Sequence, residues 1–221
     1  MSKRITITFL FALLFRTAFS QLSGFSIATG LDIQRNFKKE QSYWAVGSML
    51  QGLFHFTPKE GVYASFGWYS HGRLRDNITA TAKSILTIPQ EVNYTNTARM
   101  AVRQLSIGYR KYLKGVANSE EGWNLYAYAG FGLILGSVEN IHSVSPDTTV
   151  YAVPVFKGIG RFKRLTLDLG AGYEIPVGAD FYIYAEGRVW IPTTDYPSRY
   201  IFTNDNAPFM GMLGAGVRIL F

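Results

Sequence analysis

The sequence of 221 residues contains no cysteine. This absence excludes a disulfide framework, a thiolate nucleophile and a lipid-modified N-terminal cysteine. Beyond residue 20 the sequence has no run of 18 apolar residues, so it offers no candidate transmembrane helix. Lysine and arginine form no dense cluster along the sequence, which gives no indication of a nucleic-acid partner.

The N-terminus predicts a secretory signal peptide at residues 1–20. Lys3 and Arg4 precede an apolar run at 5–15, and Ala18 and Ser20 follow at the spacing of a cleavage site. The alternative, an amphipathic presequence, is disfavoured because the apolar run has no polar helical face. A cut after Ser20 leaves 19 basic and 15 acidic residues, a formal charge of +4, in a mature chain of residues 21–221.

The mature chain has the composition of either a soluble β-protein or an outer-membrane barrel. It is rich in tyrosine, phenylalanine and glycine, and residues 123–138 read WNLYAYAGFGLILGSV. Every second residue from Trp123 to Leu135 is apolar, and those between are mostly polar, tyrosine or glycine. A period of two predicts a strand with two different faces. A face that is apolar over about 9–11 residues is suited to lipid.

Eight segments of the chain alternate in this way, which is the strand number of the smallest common outer-membrane barrels. They are residues 24–34, 43–56, 62–71, 99–112, 123–138, 161–175, 181–191 and 209–221. The second, fourth and sixth connections are short, whereas the third, fifth and seventh have 15 residues or more. Short periplasmic turns and long external loops produce this order. The first connection, at 35–42, is a short exception.

The distribution of charged and aromatic residues supports a barrel in a membrane. The charges share a face with the glycines, whereas a lipocalin-like soluble barrel would direct its apolar face inward. Outward aromatics lie at both strand ends, as membrane-interface girdles do: Phe54, Phe56, Tyr109, Trp123, Tyr173, Phe181 and Phe221 at one end, and Trp44, Trp68 and Phe209 at the other. We predict an all-β fold, an antiparallel eight-stranded transmembrane up-and-down β-barrel in an outer membrane.

Gly-x-Gly recurs in the fifth, sixth and eighth segments, and the chain ends in GAGVRILF. Together with the alternation, these features resemble the OmpA/OmpX-type family of eight-stranded outer-membrane barrels. The resemblance implies a Gram-negative outer membrane as the location. It also implies that Phe221 is the signal read by the barrel-assembly machinery. We expect a monomer without a cofactor.

Eight charged side chains are predicted to face the interior, four of each sign: Asp32, Asp168, Glu174, Glu186, Arg110, Arg164, Arg188 and Arg218. An eight-stranded barrel is only wide enough for side chains to fill it, and buried charges require partners. We therefore expect a filled ion-pair core. A narrow polar path, which would make the protein a small-solute channel, stays open as the alternative.

No catalytic or metal-binding residue is predicted. His55 and His71 face inward at opposite ends of adjacent strands, and His142 lies in a long connection. A lipid A-modifying enzyme would require an outward histidine beside an outward serine, or an acyl-sized cavity that a charged interior disfavours. We expect a non-enzymatic protein that supports envelope integrity or surface interaction. The lipid A-modifying enzyme is the weaker alternative, and a role as accessory barrel of an assembly system stays open.

Two external features are candidates for binding. Arg99, Arg103, Arg161 and Lys163 alternate onto the outward face at the external ends of their strands, where they could reach lipopolysaccharide phosphates. The alternative is that the alternation has already ended and these are loop residues. The connection at 72–98 is the candidate site for an extracellular ligand, either as a loop or as a protruding sheet whose edge accepts a strand.

Overall fold

The computed structural model describes residues 24–37, 42–178, 180–193, 200 and 209–221, except for the side chain of His71. The predicted signal peptide and the predicted inward direction of His71 therefore lie outside the described residues. The described residues form nine strands: β1 Phe25–Asn36, β2 Trp44–Thr57, β3 Glu60–Ala82, β4 Glu91–Lys114, β5 Asn124–His142, β6 Tyr151–Ala152, β7 Gly158–Gly178, β8 Phe181–Pro192 and β9 Met210–Leu220. Within this part of the chain, no helix has the length and apolar character needed to span a membrane.

Eight of these strands close into an antiparallel barrel in the order β1, β2, β3, β4, β5, β7, β8, β9. The ring closes where β9 pairs with β1, from Ser26 opposite Leu220 to Asn36 opposite Met210. The remaining strand, β6, pairs with the far end of β3 outside the ring. This architecture confirms the predicted fold class.

Alternation along each strand separates an apolar exterior from a polar interior. On β1, Leu31 is 74% exposed, whereas the next residue, Asp32, is 6% exposed. An exposed leucine beside a buried aspartate is the reverse of the arrangement in a water-soluble protein, so the exterior requires lipid. Inward glycines make room for large rings: a Cβ added at Gly170 would overlap the ring of Tyr128.

The third and fourth strands are longer than the predicted segments 62–71 and 99–112. They continue beyond the ring as a hairpin that turns at residues 83–90. The connection predicted at 72–98 is therefore mostly strand. Of its two predicted forms, a loop or a protruding sheet, the structure has the protruding sheet. A register shift between Tyr69 and Gly72 changes the buried positions of β3 from odd to even numbers, because a bulge inserts an extra residue.

The connection between β5 and β7 folds against this hairpin. Its short strand β6 pairs with Thr81 and Ala82, and the amide of Ser143 donates to the carbonyl of Thr95 at 2.9 Å. Val155 of the same connection is buried. We call residues 72–98 together with 143–157 the lobe. The lobe lies at one end of the barrel, and the three short turns lie at the other, which we call the turn end.

Candidate functional site

The turn end of the interior is filled by an ion pair between Arg218 of β9 and Glu174 of β7. Their Nη2 and Oε1 atoms are 2.7 Å apart, and both side chains are fully buried. Arg218 also donates to the Ser26 hydroxyl at 2.9 Å and to the Ala117 carbonyl at 2.7 Å. Because Ala117 belongs to the turn between β4 and β5, this turn is bound to the interior and covers part of the barrel mouth.

A second layer joins Glu186 and Arg188 of β8 to Arg110 of β4. Arg188 lies 2.7 Å from one carboxylate oxygen of Glu186, and Arg110 lies 3.7 Å from the other. Arg188 also donates to the Tyr128 hydroxyl at 2.8 Å, and Arg110 donates to the Gln51 side-chain oxygen at 2.6 Å. Two arginines thus share one carboxylate, and neutral oxygens supply further acceptors.

The two interior aspartates accept hydrogen bonds from hydroxyl groups. Tyr69 donates to Asp32 at 2.6 Å, and Thr166 donates to Asp168 at 2.7 Å. Hydrogen bonds of this kind offset the cost of burying a carboxylate. Arg164, on the same strand as Asp168, has its guanidinium 5.6 Å from the ring centre of Phe162.

The structure therefore places all eight predicted interior charges inside the barrel, and none is more than 6% exposed. It distributes them over several layers of contacts, which the alternation did not specify.

An apolar cluster fills the interior between the charged layers and the lobe. Trp190 has no exposed surface, and its ring packs edge-on against Tyr69 at 5.3 Å. Ile134, Phe162 and Met212 belong to the same cluster. The alternation alone did not predict this cluster, although Trp190 has the inward parity of Arg188 two residues earlier. Apolar groups cannot replace the water around an ion, so this cluster opposes conduction.

Five cations lie side by side on the outside of the barrel at the lobe end. We call them the basic cluster: Arg73, Arg99, Arg103, Arg161 and Lys163. Arg73 of β3 lies directly opposite Arg99 of β4. On neighbouring rungs, Leu135 separates Arg103 from Lys163, and Arg161 lies opposite Ser137. Each cation is exposed between two buried neighbours, so the alternation continues through all five and they are strand residues.

The centre of the basic cluster is a shallow depression. Ala101 and Ser137 have small side chains and line both of its halves. One half, of about 490 Å³, has Arg73 and Arg99 at its edge, and the other, of about 480 Å³, has Arg103 and Arg161. Guanidinium groups on both sides of an open space suit a phosphate or sulfate oxyanion.

One member of the basic cluster, Arg73, was not predicted from the sequence. Its outward direction depends on the register shift before Gly72, which the alternation before the shift does not reveal. An acidic neighbour, Glu139, lies 3.7 Å from Arg99, and both side chains are about half exposed.

The outer face of the lobe carries hydrogen-bonded pairs of threonine and asparagine. Thr79 donates to Asn93 at 2.6 Å, and Thr95 donates to Asn77 at 2.9 Å. This polar face continues the lipid-facing side of the barrel beyond the basic cluster. The apolar exterior therefore ends near the cations, where a membrane surface would lie.

The loop that completes the lobe is ordered by Asp147. Its carboxylate accepts from the backbone amide and the hydroxyl of Thr149, both at 2.8 Å. These hydrogen bonds hold the pKa of Asp147 below its ordinary value. The loop is therefore a defined turn at neutral pH.

The structure describes the side chains of two histidines, His55 and His142. Among the described residues, no group of three histidine, cysteine, aspartate or glutamate side chains is placed to hold a metal ion. His55 is 2.9 Å from the Ser26 hydroxyl, but Arg218 donates to that same hydroxyl inside the filled turn end. His142 is the last residue of β5, and its ring lies 4.7 Å from that of Tyr94 in the lobe.

Comparisons with known proteins identify the fold. No protein-family model matches the sequence, and a comparison with curated proteins finds no match. Among solved structures, Neisserial surface protein A is similar with a TM-score of 0.57 and 11% identity over 89% of this chain and 97% of that one. The attachment invasion locus protein of Yersinia pestis, in complex with the heparin analogue sucrose octasulfate, is similar with a TM-score of 0.50 and 16% identity over 90% and 99%. The chain has the fold of eight-stranded outer-membrane β-barrel proteins.

Proposed function

We propose that this chain is a non-enzymatic outer-membrane protein that binds lipopolysaccharide phosphates through the basic cluster and presents the lobe outside for surface interaction. The observation that carries the proposal is the position of Arg73 directly opposite Arg99, beside three further cations on the lipid-facing side. The cations begin where the apolar exterior ends. In the outer leaflet of a Gram-negative outer membrane, the groups at that level are the phosphates of lipopolysaccharide.

The arrangement of charges favours a bound anion. Like charges directly opposite each other on paired strands are destabilising. Arg73 and Arg99 are such a pair, and Glu139 lies within ion-pair distance of Arg99. A phosphate between the guanidinium groups would reverse the sign of this interaction and would accept charge-assisted hydrogen bonds.

The apolar surface next to the cluster suits the rest of such a lipid. Trp68 lies opposite Arg103, at a height where aromatic rings meet the membrane interface. A shallow groove of about 530 Å³ lies further toward the turn end, between Phe66, Ile107 and Phe131. A lipid with its phosphate at the basic cluster could therefore extend an acyl chain along this groove.

The similar structures support the class of function. One is a surface protein, and the other is an attachment and invasion protein in complex with a heparin analogue. A heparin analogue is a polyanion, and the basic cluster of this chain has the charge to bind one. The lobe, with its polar outer face, is a part of this chain that would meet extracellular ligands.

The proposal is tested by neutralising four cations together, as Arg99→Gln, Arg103→Gln, Arg161→Gln and Lys163→Gln. We expect the refolded variant to bind lipopolysaccharide at least tenfold more weakly than the original chain, and to lose its thermal stabilisation by lipopolysaccharide. Dephosphorylated lipopolysaccharide should show the same loss with the original chain.

A matched control neutralises Lys59, Lys111 and Lys114 at the turn end. These cations lie far from the basic cluster, so this control should bind lipopolysaccharide as the original chain does. Unchanged binding in the four-cation variant would contradict the proposal. A changed mass of lipid A in cells that express the chain would contradict its non-enzymatic character.

A further inference from the structure

The tip of the lobe, residues 83–90, exposes the most accessible large apolar side chains in the described part of the chain. Ile85 and Ile88 are each 90% exposed, and Leu86 is 86% exposed. Other strongly exposed residues, such as Leu31 and Leu213, face the lipid around the barrel. The tip lies above that lipid, so the lipid around the barrel does not cover it.

The exposed tip is held in one shape. The side-chain amide of Gln90 donates to the carbonyls of Ser84, Ile85 and Thr87 at 3.3, 3.1 and 2.5 Å. The amide of Ala82 donates to the carbonyl of Gln90 at 2.8 Å and closes the hairpin. The aliphatic side chains are therefore exposed on an ordered turn.

The neighbouring loop of the lobe supports the tip from the side. The backbone amide of Lys83 donates to the carbonyl of Val150 at 2.9 Å, and its ammonium group donates to the carbonyl of Thr148 at 2.7 Å. The Tyr151 hydroxyl donates to the Pro89 carbonyl at 3.0 Å. Covering the aliphatic side chains would therefore require little further ordering of the tip, which favours binding.

The tip stands well away from the membrane that holds the barrel. From Arg103 in the basic cluster to Glu91 at the base of the tip, β4 advances about 40 Å at ~3.3 Å per residue. With a strand tilt of about 35–45°, this places the tip roughly 30 Å above Arg103 and roughly 20 Å above Arg99. At that distance it can meet a second surface that faces the cell.

The chemistry of the tip indicates which surface this is. Protein hot spots are enriched in tryptophan, tyrosine and arginine, and residues 83–90 contain none of these. The tip has three aliphatic side chains, two hydroxyl side chains and Lys83, with no acidic group to desolvate. Insertion into a lipid interface depends on buried apolar area and on cations, and it needs no matching pocket.

We propose that Ile85, Leu86 and Ile88 insert into the outer leaflet of an apposed phospholipid bilayer, such as that of another cell. The inference deepens the proposed surface interaction and rests on the proposed outward placement of the lobe. One tip binds weakly, because three side chains bury little area. Many copies in one membrane bind together and give stable adhesion.

The chain has no native cysteine, so a single introduced cysteine can be labelled to test the insertion of the tip. Residues 21–221 with Leu86→Cys are reconstituted in proteoliposomes and labelled at that position with an environment-sensitive fluorophore. We expect a blue shift on addition of phosphatidylcholine vesicles, and quenching when those vesicles carry a quencher in their acyl chains. A label at Ser145→Cys, beside the tip on the neighbouring loop, should not be quenched in this way.

A second measurement separates apolar insertion from folding defects. The variant Ile85→Ser, Leu86→Ser, Ile88→Ser should capture fluorescent phosphatidylcholine vesicles at least tenfold less well, whereas Ile85→Leu, Leu86→Ile, Ile88→Leu should capture them as the original chain does. Equal capture by the serine variant would overturn the proposal. A blue shift that depends on protein density without acceptor vesicles would also overturn it, in favour of contact between copies of the chain.

These outcomes are independent of lipopolysaccharide binding. The serine variant keeps the basic cluster, and the four-cation variant keeps the tip. Loss of lipopolysaccharide binding with retained vesicle capture, or the reverse, would therefore show which of the two proposals fails.

Discussion

The guanidinium of Arg218 and the carboxylate of Glu174 meet at 2.7 Å inside the barrel, and neither side chain has any exposed surface. They belong to β9 and β7, which both pair with β8, so the contact crosses the inner face of β8. A buried charge whose partner is removed remains in a low-dielectric environment without compensation.

Removing one partner should therefore destabilise the barrel strongly. We expect Glu174→Gln to lower the free energy of unfolding by about 3–5 kcal/mol. Urea unfolding of the refolded chain in lipid bilayers measures this change. The double variant Glu174→Gln, Arg218→Met should recover part of the loss, because no unpaired cation is then left. A double variant less stable than the single one would contradict this account.

The filled interior predicts an electrically silent barrel. The ring of Trp190 is fully buried and packs against Tyr69 within an apolar cluster that fills the lobe end of the interior. Single-channel recording in a planar bilayer should show no stable conductance steps for the folded original chain. The double variant Trp190→Ala, Phe162→Ala should show steps, because it opens the cluster. Steps from the original chain that respond to charge changes at Glu186 or Arg188 would instead indicate an ion path.

Inward glycines that face tyrosine rings should not tolerate a methyl group. A Cβ at Gly170 would overlap the ring of Tyr128. That ring cannot move aside, because it is packed in the barrel interior. We expect Gly170→Ala to lower the free energy of unfolding by about 1–3 kcal/mol. Gly187 on the adjacent strand is the matched control, since its Cβ would meet only Leu213 at 3.6 Å. Equal unfolding midpoints for the two variants would exclude steric overlap as the cause.

The lobe should loosen in acid because of His142, whose ring packs against Tyr94 of the lobe. The His142 side chain is buried, and burial, followed by the charge of Lys157, lowers its pKa below the ordinary value of about 6.5. The imidazole of His142 therefore binds a proton more readily when the lobe is unfolded than when it is folded. The stability contributed by neutral His142 is complete above about pH 6.5 and is lost as the pH falls through the lower, folded pKa.

Hydrogen exchange, corrected for its intrinsic pH dependence, measures this effect. Amides at 91–98 and 140–155 should open more often at pH 5 than at pH 7.5, because a protonated His142 favours the open form. The variant His142→Gln should lose most of this difference. The prediction is wrong if the variant and the original chain respond to pH alike.

Much of this architecture follows from the period of two in the sequence. Alternation places Leu31 outside and Asp32 inside without knowledge of any partner, because successive side chains of a strand point to opposite faces. It also located the eight strands of the ring. Their ends were less well predicted at β3 and β4, where polar residues continue the strand into water and no apolar face marks its length.

The interior contacts were outside the reach of that pattern. Arg218 and Ser26 are 192 residues apart in the sequence, and Arg188 and Tyr128 are 60 apart. Such neighbours meet because the ring closes and because the register of every strand pair sets their height. A local sequence pattern contains neither the closure of the ring nor the register of the strand pairs.

The sequence by itself determined which side chains face lipid and which face the interior, and it indicated four of the five cations of the basic cluster. The tertiary structure decided that Arg73 joins them, because the bulge after Tyr69 reverses the alternation of β3. It also decided that Ile85, Leu86 and Ile88 lie on an ordered tip, because the Gln90 amide and the neighbouring loop hold that turn through contacts the pattern does not encode.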